Sequence, residues 1–318
     1  MEINSSEYDT IVIGGGPAGI AAAMHLGFHH RRVLVIDRKT SPMQFANTPI
    51  HNYPGVKPLV APTEILQKMR NELREYDVET LFGNAIRITG QAPNFHVAIK
   101  LAQEVLTTVT AKTLVLATGI ARKHPKVDGD WKKWLPFAGK NRMSYYCPDC
   151  DSPQTAGKDV IIVNAGTANS ALHVARCIKP FATRIRIFMT EDAYAPYTKH
   201  SETIMNKSEF EWTHGLVKKV NILEPGKRQQ LITADGRTLE CNIFFVAWIA
   251  VPRNELAIEL GVELDAKGNI LTDFKGATNI KGVWAAGDVR PITQTVATAV
   301  GTGVYSGIMI AHYLLSLA

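Results

Sequence analysis

The sequence predicts an α/β protein made of two similar strand–turn–helix–strand units, the second inserted into the first. Three observations predict it. An apolar run, Tyr8 to Ile13, leads straight into Gly14-Gly-Gly-Pro-Ala-Gly19, then into the alanine-rich stretch Ile20 to Leu26, and a second apolar run, Arg32 to Ile36, ends on Asp37. The same order returns as a strand at Asp159 to Val163, a turn at Asn164 to Asn169, a helix at Ser170 to Ile178 and a strand at Thr183 to Met189. The tail then carries Gly282-Val-Trp-Ala-Ala-Gly-Asp288, a strand running into a Gly-Asp turn, and a long helix from about Val296 to Leu317. Each repeat has the form of a Rossmann-like βαβ unit. The first is expected over residues 1–119 and 246–318, the inserted one over 120–245.

The remaining elements fill this frame. Ser41 to Pro62 reads as a loop, Thr63 to Tyr76 as an amphipathic helix and Asn84 to Val109 as alternating β-structure; the strand Thr113 to Ala117 ends in Thr118-Gly119. Ile120 to Gly157 is loop-rich, and Gly215 to Ala247 reads as short strands and turns. A chain of 318 residues suits two ordinary α/β domains, and 46% apolar with 20% charged residues allows a sizeable core. No run of 18 apolar residues predicts a membrane span, and the polar start Met1 to Asp9 lacks the pattern of a secretory signal, so a cytoplasmic protein is expected. The net charge of +6 favours acidic partners mildly, and no long Lys/Arg run points to nucleic acid.

The first glycine turn has the context that gives such a motif meaning: a strand before it, a helix after it and an acid closing the next strand. Gly14, Gly16 and Gly19 let backbone approach a pyrophosphate at a helix N-terminus, and Asp37 can hold ribose hydroxyls. The cysteines are Cys147, Cys150, Cys177 and Cys241. In Cys147-Pro-Asp-Cys150 two intervening residues allow a small disulfide ring, in which one thiolate attacks a partner disulfide and its neighbour resolves the mixed disulfide. Zinc would need two more ligands, and Cys177 and Cys241 make no second such pair, so no metal is expected; both read as buried small apolar residues. Asp151 directly after the pair and Asp149 inside it place two competing carboxylates close to sulfur. Trp131-Lys-Lys-Trp134, with Arg122, Lys123, Lys126, Lys140 and Arg142, reads first as a solvated loop whose tryptophans pack inward and second as a docking surface for an acidic protein.

Gly14-Gly-Gly-Pro-Ala-Gly19, Asn52-Tyr-Pro-Gly55, Ala117-Thr-Gly119, the Cys147/Cys150 pair, Ala286-Gly-Asp288 and Gly301-Thr-Gly303 occur in this order over nearly the whole chain. In this the sequence resembles the low-molecular-weight thioredoxin reductases. The resemblance implies FAD in the first unit, held by Gly14, Gly16, Pro17, Ala18, Gly19, Asp37, Asn52, Thr118, Gly119, Gly287, Asp288, Thr295 and Val296, with Asp288 on the flavin chain. It further implies attack by Cys147, resolution by Cys150 beside the flavin, a proton carried by Asp151, a homodimer, and two domain orientations.

The departures from that family are as informative. The second turn reads Asn164-Ala-Gly-Thr-Ala-Asn-Ser-Ala171 where two glycines and an alanine are usual, about two residues longer than the family's, and Glu191-Asp192 stand where a basic cluster would hold the 2′-phosphate of NADPH. Ser152 replaces a glycine, Gln294-Thr295-Val296 replaces Arg-Gln-Ala, and Ala250-Val-Pro-Arg-Asn254 alters the usual crossing segment. NADPH is therefore not the expected reductant. Electrons come from a protein such as ferredoxin, or a second nucleotide without a 2′-phosphate, NADH or a second FAD, sits on Gly166, Thr167, Ala168, Asn169 and Glu191. In the third reading, flow runs in reverse, as in the oxygen-using oxidases of small dithiols that the wording from Asn169 to Arg176 resembles. The leading expectation is an FAD-dependent disulfide oxidoreductase acting on a thioredoxin-like protein. The alternative from another class is a flavin-binding redox sensor without turnover, against which the acid beside the cysteines argues.

Overall fold

The computed structural model describes residues 7–45, 48–57, 60–138 and 144–317. The chain starts with β1 (Tyr8–Ile13), α1 (Pro17–Phe28), β2 (Val33–Asp37), α2 (Pro42–Phe45), α3 (Pro62–Glu72) and β3 (Val78–Phe82). An antiparallel set follows, β4 (Asn84–Gln91), β5 (Asn94–Lys100) and the long β6 (Leu106–Leu116). The sheet order is β3-β2-β1-β6-β5-β4. The far end of β6 leaves the antiparallel set and runs parallel to β1, so one strand belongs to both halves of the sheet.

Alternation along β1 explains its burial on both faces. Ile11 and Ile13 point into a cluster with Phe95, Val97 and Ile99 of β5, whereas Val12 points to the other side, against α1. Parallel strands covered on both faces need apolar residues at nearly every position, as Val33 to Ile36 supply.

The chain leaves this sheet through β7 (Ile120–Arg122) and builds the inserted unit from β8 (Ser144–Tyr145), α4 (Pro148–Asp151), β9 (Asp159–Asn164), α5 (Ala168–Ile178), β10 (Arg184–Thr190), α6 (Glu191–Tyr194), α7 (Thr198–Asn206) and β11 (Glu211–Gly215). A small antiparallel sheet, β12 (Val217–Glu224), β13 (Arg228–Thr233) and β14 (Thr238–Cys241), precedes β15 (Ile243–Ala247). The second parallel sheet has the order β11-β10-β9-β15-β8. Return is through β16 (Ala250–Pro252), which pairs antiparallel with β7, followed by α8 (Glu255–Glu259), β17 (Val283–Ala285) beside β6, and α9 (Val296–Leu315). A Cβ on Gly303 of α9 would sit 2.1 Å from the Ala18 carbonyl oxygen, so that glycine sets how closely α9 lies on α1.

Four expectations change. The return placed at residue 246 falls inside β15, whose Val246 and Ala247 pair with Val163 and Asn164 in the second sheet; the crossing is the β7/β16 ribbon. The helix after the second turn, α5, starts at Ala168 rather than Ser170, so the turn itself spans only residues 165–167. β3, α6, α7 and α8 were not anticipated; β3 is an edge strand with three of five residues exposed, so it lacks the apolar run of its neighbours. Cys177 is partly exposed, 3.7 Å from His173 Nε2, whereas Cys241 is buried as expected. Among the described residues no helix is long and apolar enough to cross a membrane.

Candidate active site

A cavity of about 310 Å³ opens at the carboxyl ends of β1, β2 and β6, where ligands of doubly wound sheets sit. Gly14, Gly16, Pro17, Ala18, Asp37, Thr118, Gly119, Gly287 and Asp288, nine of the expected cofactor residues, line it together. Gly19 stands behind the wall. A Cβ there would lie 1.8 Å from the Gly14 carbonyl oxygen, so Gly19 lets the first turn of α1 press on the glycine turn. Asn52 is exposed outside this cavity, and Thr295 and Val296 also lie off its wall; Thr295 caps α9 by accepting from the Thr298 amide at 3.1 Å.

Arg38, Thr40, Asn84 and Arg253, not anticipated from the sequence, also stand on the wall. The signal was there: Arg38 and Thr40 follow β2, and Asn84 follows β3, at the ends where such sheets bind ligands. Arg253 comes from the crossing segment; its backbone N–H donates to the Gly119 carbonyl at 3.0 Å, and its Nη1 reaches the Thr40 hydroxyl at 3.1 Å. Asp37 is buried; Arg70 pairs with it at 2.7 Å and the Lys39 amide donates to it at 2.8 Å. Asp288 is held differently. Its Oδ1 is enclosed without a hydrogen-bond partner, and burial pushes its carboxyl up to about 6, against the pull of Arg122.

Cys147 and Cys150 form a disulfide, with Cα atoms 5.2 Å apart. Cys147 caps α4, and its carbonyl accepts from the Cys150 and Asp151 amides at 3.1 and 2.8 Å. Asp151 is buried, 6% exposed, and its Oδ2 accepts from the Cys147 amide at 3.2 Å and the Tyr146 amide at 3.4 Å. Burial raises its carboxyl above the usual carboxylate range; the two amides and the charges of Arg122 and His51 offset part of this. A carboxyl so raised holds a proton more readily than a free one, beside the cysteine whose amide it accepts from. Asp149, the competing acid, is exposed. Across the gap between units, Gln154 Nε2 lies 3.4 Å from His51 Nε2.

The basic segment separates into parts. Trp134 is fully buried, donating from Nε1 to the Tyr146 hydroxyl at 2.8 Å, while Trp131 is 45% exposed and stacks on His124. Lys126 pairs with Asp192, and Lys133 and Lys218 share Asp128. Arg122 is no surface cation: it lies over the rings of Tyr146 and Trp248. Lys140 and Arg142 fall outside the described residues.

The second turn brings Gly166, Thr167, Ala168 and Asn169 to the end of β9, but fills itself. Buried Asn164 accepts from the Gly166 amide at 3.0 Å and donates to the Thr167 carbonyl at 3.0 Å. The Ser170 hydroxyl donates to that same carbonyl at 2.7 Å and occupies the space over Gly166, 2.7 Å from where a Cβ would be. Thr167 caps α5 through the Ser170 amide at 3.2 Å. Glu191 faces His214 at 3.5 Å, and Tyr194 stacks on that imidazole at 4.0 Å. Asn169 Nδ2 lies 3.5 Å from His200 of α7.

The profile of the pyridine nucleotide-disulphide oxidoreductase family matches residues 8–303. The chain belongs to that family. Among its curated relatives is the thioredoxin reductase of Bacillus subtilis, 28% identical over 98% of this chain and 96% of that protein. The crystal structure of thioredoxin reductase from Streptococcus pyogenes superposes with a TM-score of 0.80 at 25% identity, covering 98% of this chain and all of that one. HlmI superposes with a TM-score of 0.81 at 22% identity, over 98% of this chain and 94% of that one, a likeness of fold. Membership makes this chain a flavin disulfide oxidoreductase of thioredoxin reductase type.

The residues present fit the family's FAD. The unpartnered Oδ1 of Asp288 awaits a hydroxyl donor, and the Gly14-to-Ala18 turn offers close backbone approach to a pyrophosphate. A testable consequence is pH-linked. In the apoprotein Asp288 is protonated below about pH 6, so its contribution to folding stability is full at low pH and is lost as pH rises through about 6. A bound hydroxyl donor favours the ionised carboxylate, so FAD affinity is expected to strengthen up to about tenfold as pH rises through that value. Fluorescence titration of apoprotein across this range checks it, with Asp288→Asn expected to show a flat profile; a flat profile in the wild type would contradict the assignment.

Proposed function

We propose that this protein passes electron pairs between FAD and a thioredoxin-like protein through Cys147 and Cys150, and that NADPH is not its electron donor. The observation that carries the second half is the self-filled turn at the head of α5. A dinucleotide pyrophosphate needs free turn amides and open space above glycine. Here Asn164 takes the Gly166 amide and Ser170 takes the space. Glu191 and Asp192 stand where the family's basic cluster would hold a 2′-phosphate, and the cation beside Asp192, Lys126, is already paired with it. The same features argue against NADH or a second FAD, whose pyrophosphate needs the same turn. The reading therefore favours an acidic electron-transfer protein of the ferredoxin kind, which the net charge of +6 suits.

FAD, held by Gly14, Gly16, Pro17, Ala18, Asp37, Thr118, Gly119, Gly287 and Asp288, supplies the two-electron carrier. In the reduced pair the Cys147 thiolate attacks one sulfur of the partner's disulfide, and the other partner sulfur leaves as thiolate and takes a proton. Cys150 then attacks Cys147, the Cys147–Cys150 bond re-forms, and the second partner sulfur departs and is protonated. Asp151, raised and bonded to the Cys147 amide, relays the proton that leaves Cys150.

Anaerobic mixing of oxidised holoprotein with NADPH, NADH or reduced ferredoxin, followed by the visible flavin absorbance, tests the donor. Rapid bleaching by ferredoxin and none by either nicotinamide is the expected result. Rapid bleaching by NADPH or NADH overturns the donor assignment, as does an FAD content near two per chain. Peroxide release from a small dithiol in air, with no turnover of thioredoxin, overturns the partner and points to the oxidase direction.

A further inference from the structure

Arg122 ends β7, where the chain leaves the cofactor side, and its guanidinium lies 5.5 Å from the ring centre of Tyr146 and 5.0 Å from that of Trp248. Those rings belong to the frame of the disulfide. Trp248 Nε1 donates to the Tyr146 carbonyl at 3.0 Å, the Tyr146 amide donates to Asp151, and the next residue is Cys147. The charges of two carboxyls, Asp288 on the cofactor side and Asp151 on the disulfide side, act on the cation. Among the described residues Arg122 forms an ion pair or hydrogen bond with neither, and its Nε is enclosed without a partner.

A half-buried guanidinium that lies against two rings and is salt-bridged to no carboxylate gives up hydration at a cost, and a neutral side chain of the same shape would fill this place more cheaply. A fixed cation of this kind matches a negative charge that arises only during turnover. Reduction of Cys147–Cys150 creates one. The S–S bond breaks, two electrons enter from the reductant, and when a single proton is taken up one sulfur is left as thiol and the other as thiolate. We propose that Arg122 is a positioning residue of the redox reaction, whose fixed charge holds the reduced pair in its thiol–thiolate form. The inference rests on the reading of Cys147 and Cys150 as the redox pair and not on the choice of donor.

The other ionisable groups around this spot are His51, which faces Asp151; Asp149 on α4, which faces Cys177; and His124 and Tyr146. Burial and the charge of Arg122 hold His124 down to about 4, and burial raises the Tyr146 phenol. Both are neutral at pH 7, so the permanent positive charge of this group comes from Arg122.

The test equilibrates holoprotein with glutathione redox buffers, scores Cys147 and Cys150 by alkylation, and titrates the ultraviolet thiolate absorbance of the reduced form. Arg122→Met is expected to make the disulfide about tenfold harder to reduce, about 30 mV for a two-electron couple, and to raise the lower thiol pKa. Arg122→Lys, which keeps the charge, is expected to hold both values near wild type. Equal shifts in the two variants would place the effect in packing between the rings and overturn the proposal, as would no shift in either. Should Arg122→Met not fold, the wild-type titration decides: a lower thiol pKa below the free-cysteine value of about 8.5 supports the proposal, and one at or above it overturns it. A disulfide that no buffer reduces in the wild type removes the redox-pair reading itself, which separates that failure from failure of the Arg122 role.

Discussion

Cys150→Ser is expected to lower disulfide turnover by about 10³-fold or more while leaving FAD content unchanged. The size follows from the exchange chemistry. Attack and resolution act as one unit, so loss of either sulfur stops the cycle rather than slowing it. FAD content holds because neither cysteine lines the cavity beneath the glycine turn. The two serine variants are expected to differ in what they leave behind. With Cys150 gone, Cys147 still attacks the partner disulfide, and the mixed disulfide accumulates because its resolving thiol is missing. With Cys147 gone, none accumulates if Cys147 is the attacking residue. Non-reducing electrophoresis after incubation with oxidised thioredoxin reads this directly. A mixed disulfide trapped by Cys147→Ser but not by Cys150→Ser would reverse the two roles.

Gly19→Ala is expected to give protein that holds no FAD and melts well below the wild type. The added methyl group would lie 1.8 Å from the Gly14 carbonyl oxygen and 3.2 Å from a Val12 methyl. The first contact is a methyl group fixed by its own backbone against a backbone carbonyl, so no side chain can rotate away. Relief requires α1 to lift from the glycine turn, which costs about 1–3 kcal/mol or more, as for overpacked cores, and opens the floor of the cavity. Gly301→Ala is the matched control. Gly301 is an exposed residue of α9 with nothing within 4 Å of its Cβ position, so the substitution is expected to be neutral or to stabilise by about 1 kcal/mol through helix propensity. Calorimetry and the FAD-to-protein absorbance ratio compare the two. Full FAD content in Gly19→Ala would refute the packing role given to this glycine.

The first unit was legible because its signals are local. Tyr8 to Ile13, the glycines and Asp37 lie within a few turns of chain, and their spacing alone dictates strand, turn, helix and strand. β1 begins and ends where the apolar run does. The inserted unit was legible for the same reason at β9 and β10, but not at its edges. Ile243 to Ala247 forms a buried strand of the second sheet, and nothing local says to which sheet it belongs. Arg122 shows the limit for the site. Beside Lys123 and Lys126 it looked like one more surface charge, yet its neighbours Lys123 and Lys126 are exposed and it is not. The rings over which it lies, Tyr146 and Trp248, come from far along the chain, and only the pairing of β7 with β16 brings Trp248 near. The second turn was half legible: its lost glycines were visible, but Asn164 and Ser170 filling the space was a matter of three-dimensional hydrogen bonding.

The Cys147–Cys150 disulfide and FAD are proposed to share electrons within one chain. Anaerobic titration with dithionite, with flavin absorbance and alkylated cysteines read at each step, tests it most directly. Two two-electron equivalents per bound FAD are expected in the wild type, with Cys147 and Cys150 both alkylated at the end, and one equivalent in Cys150→Ser. Consumption of a single equivalent by the wild type, with the flavin bleached and the disulfide still closed, would contradict it.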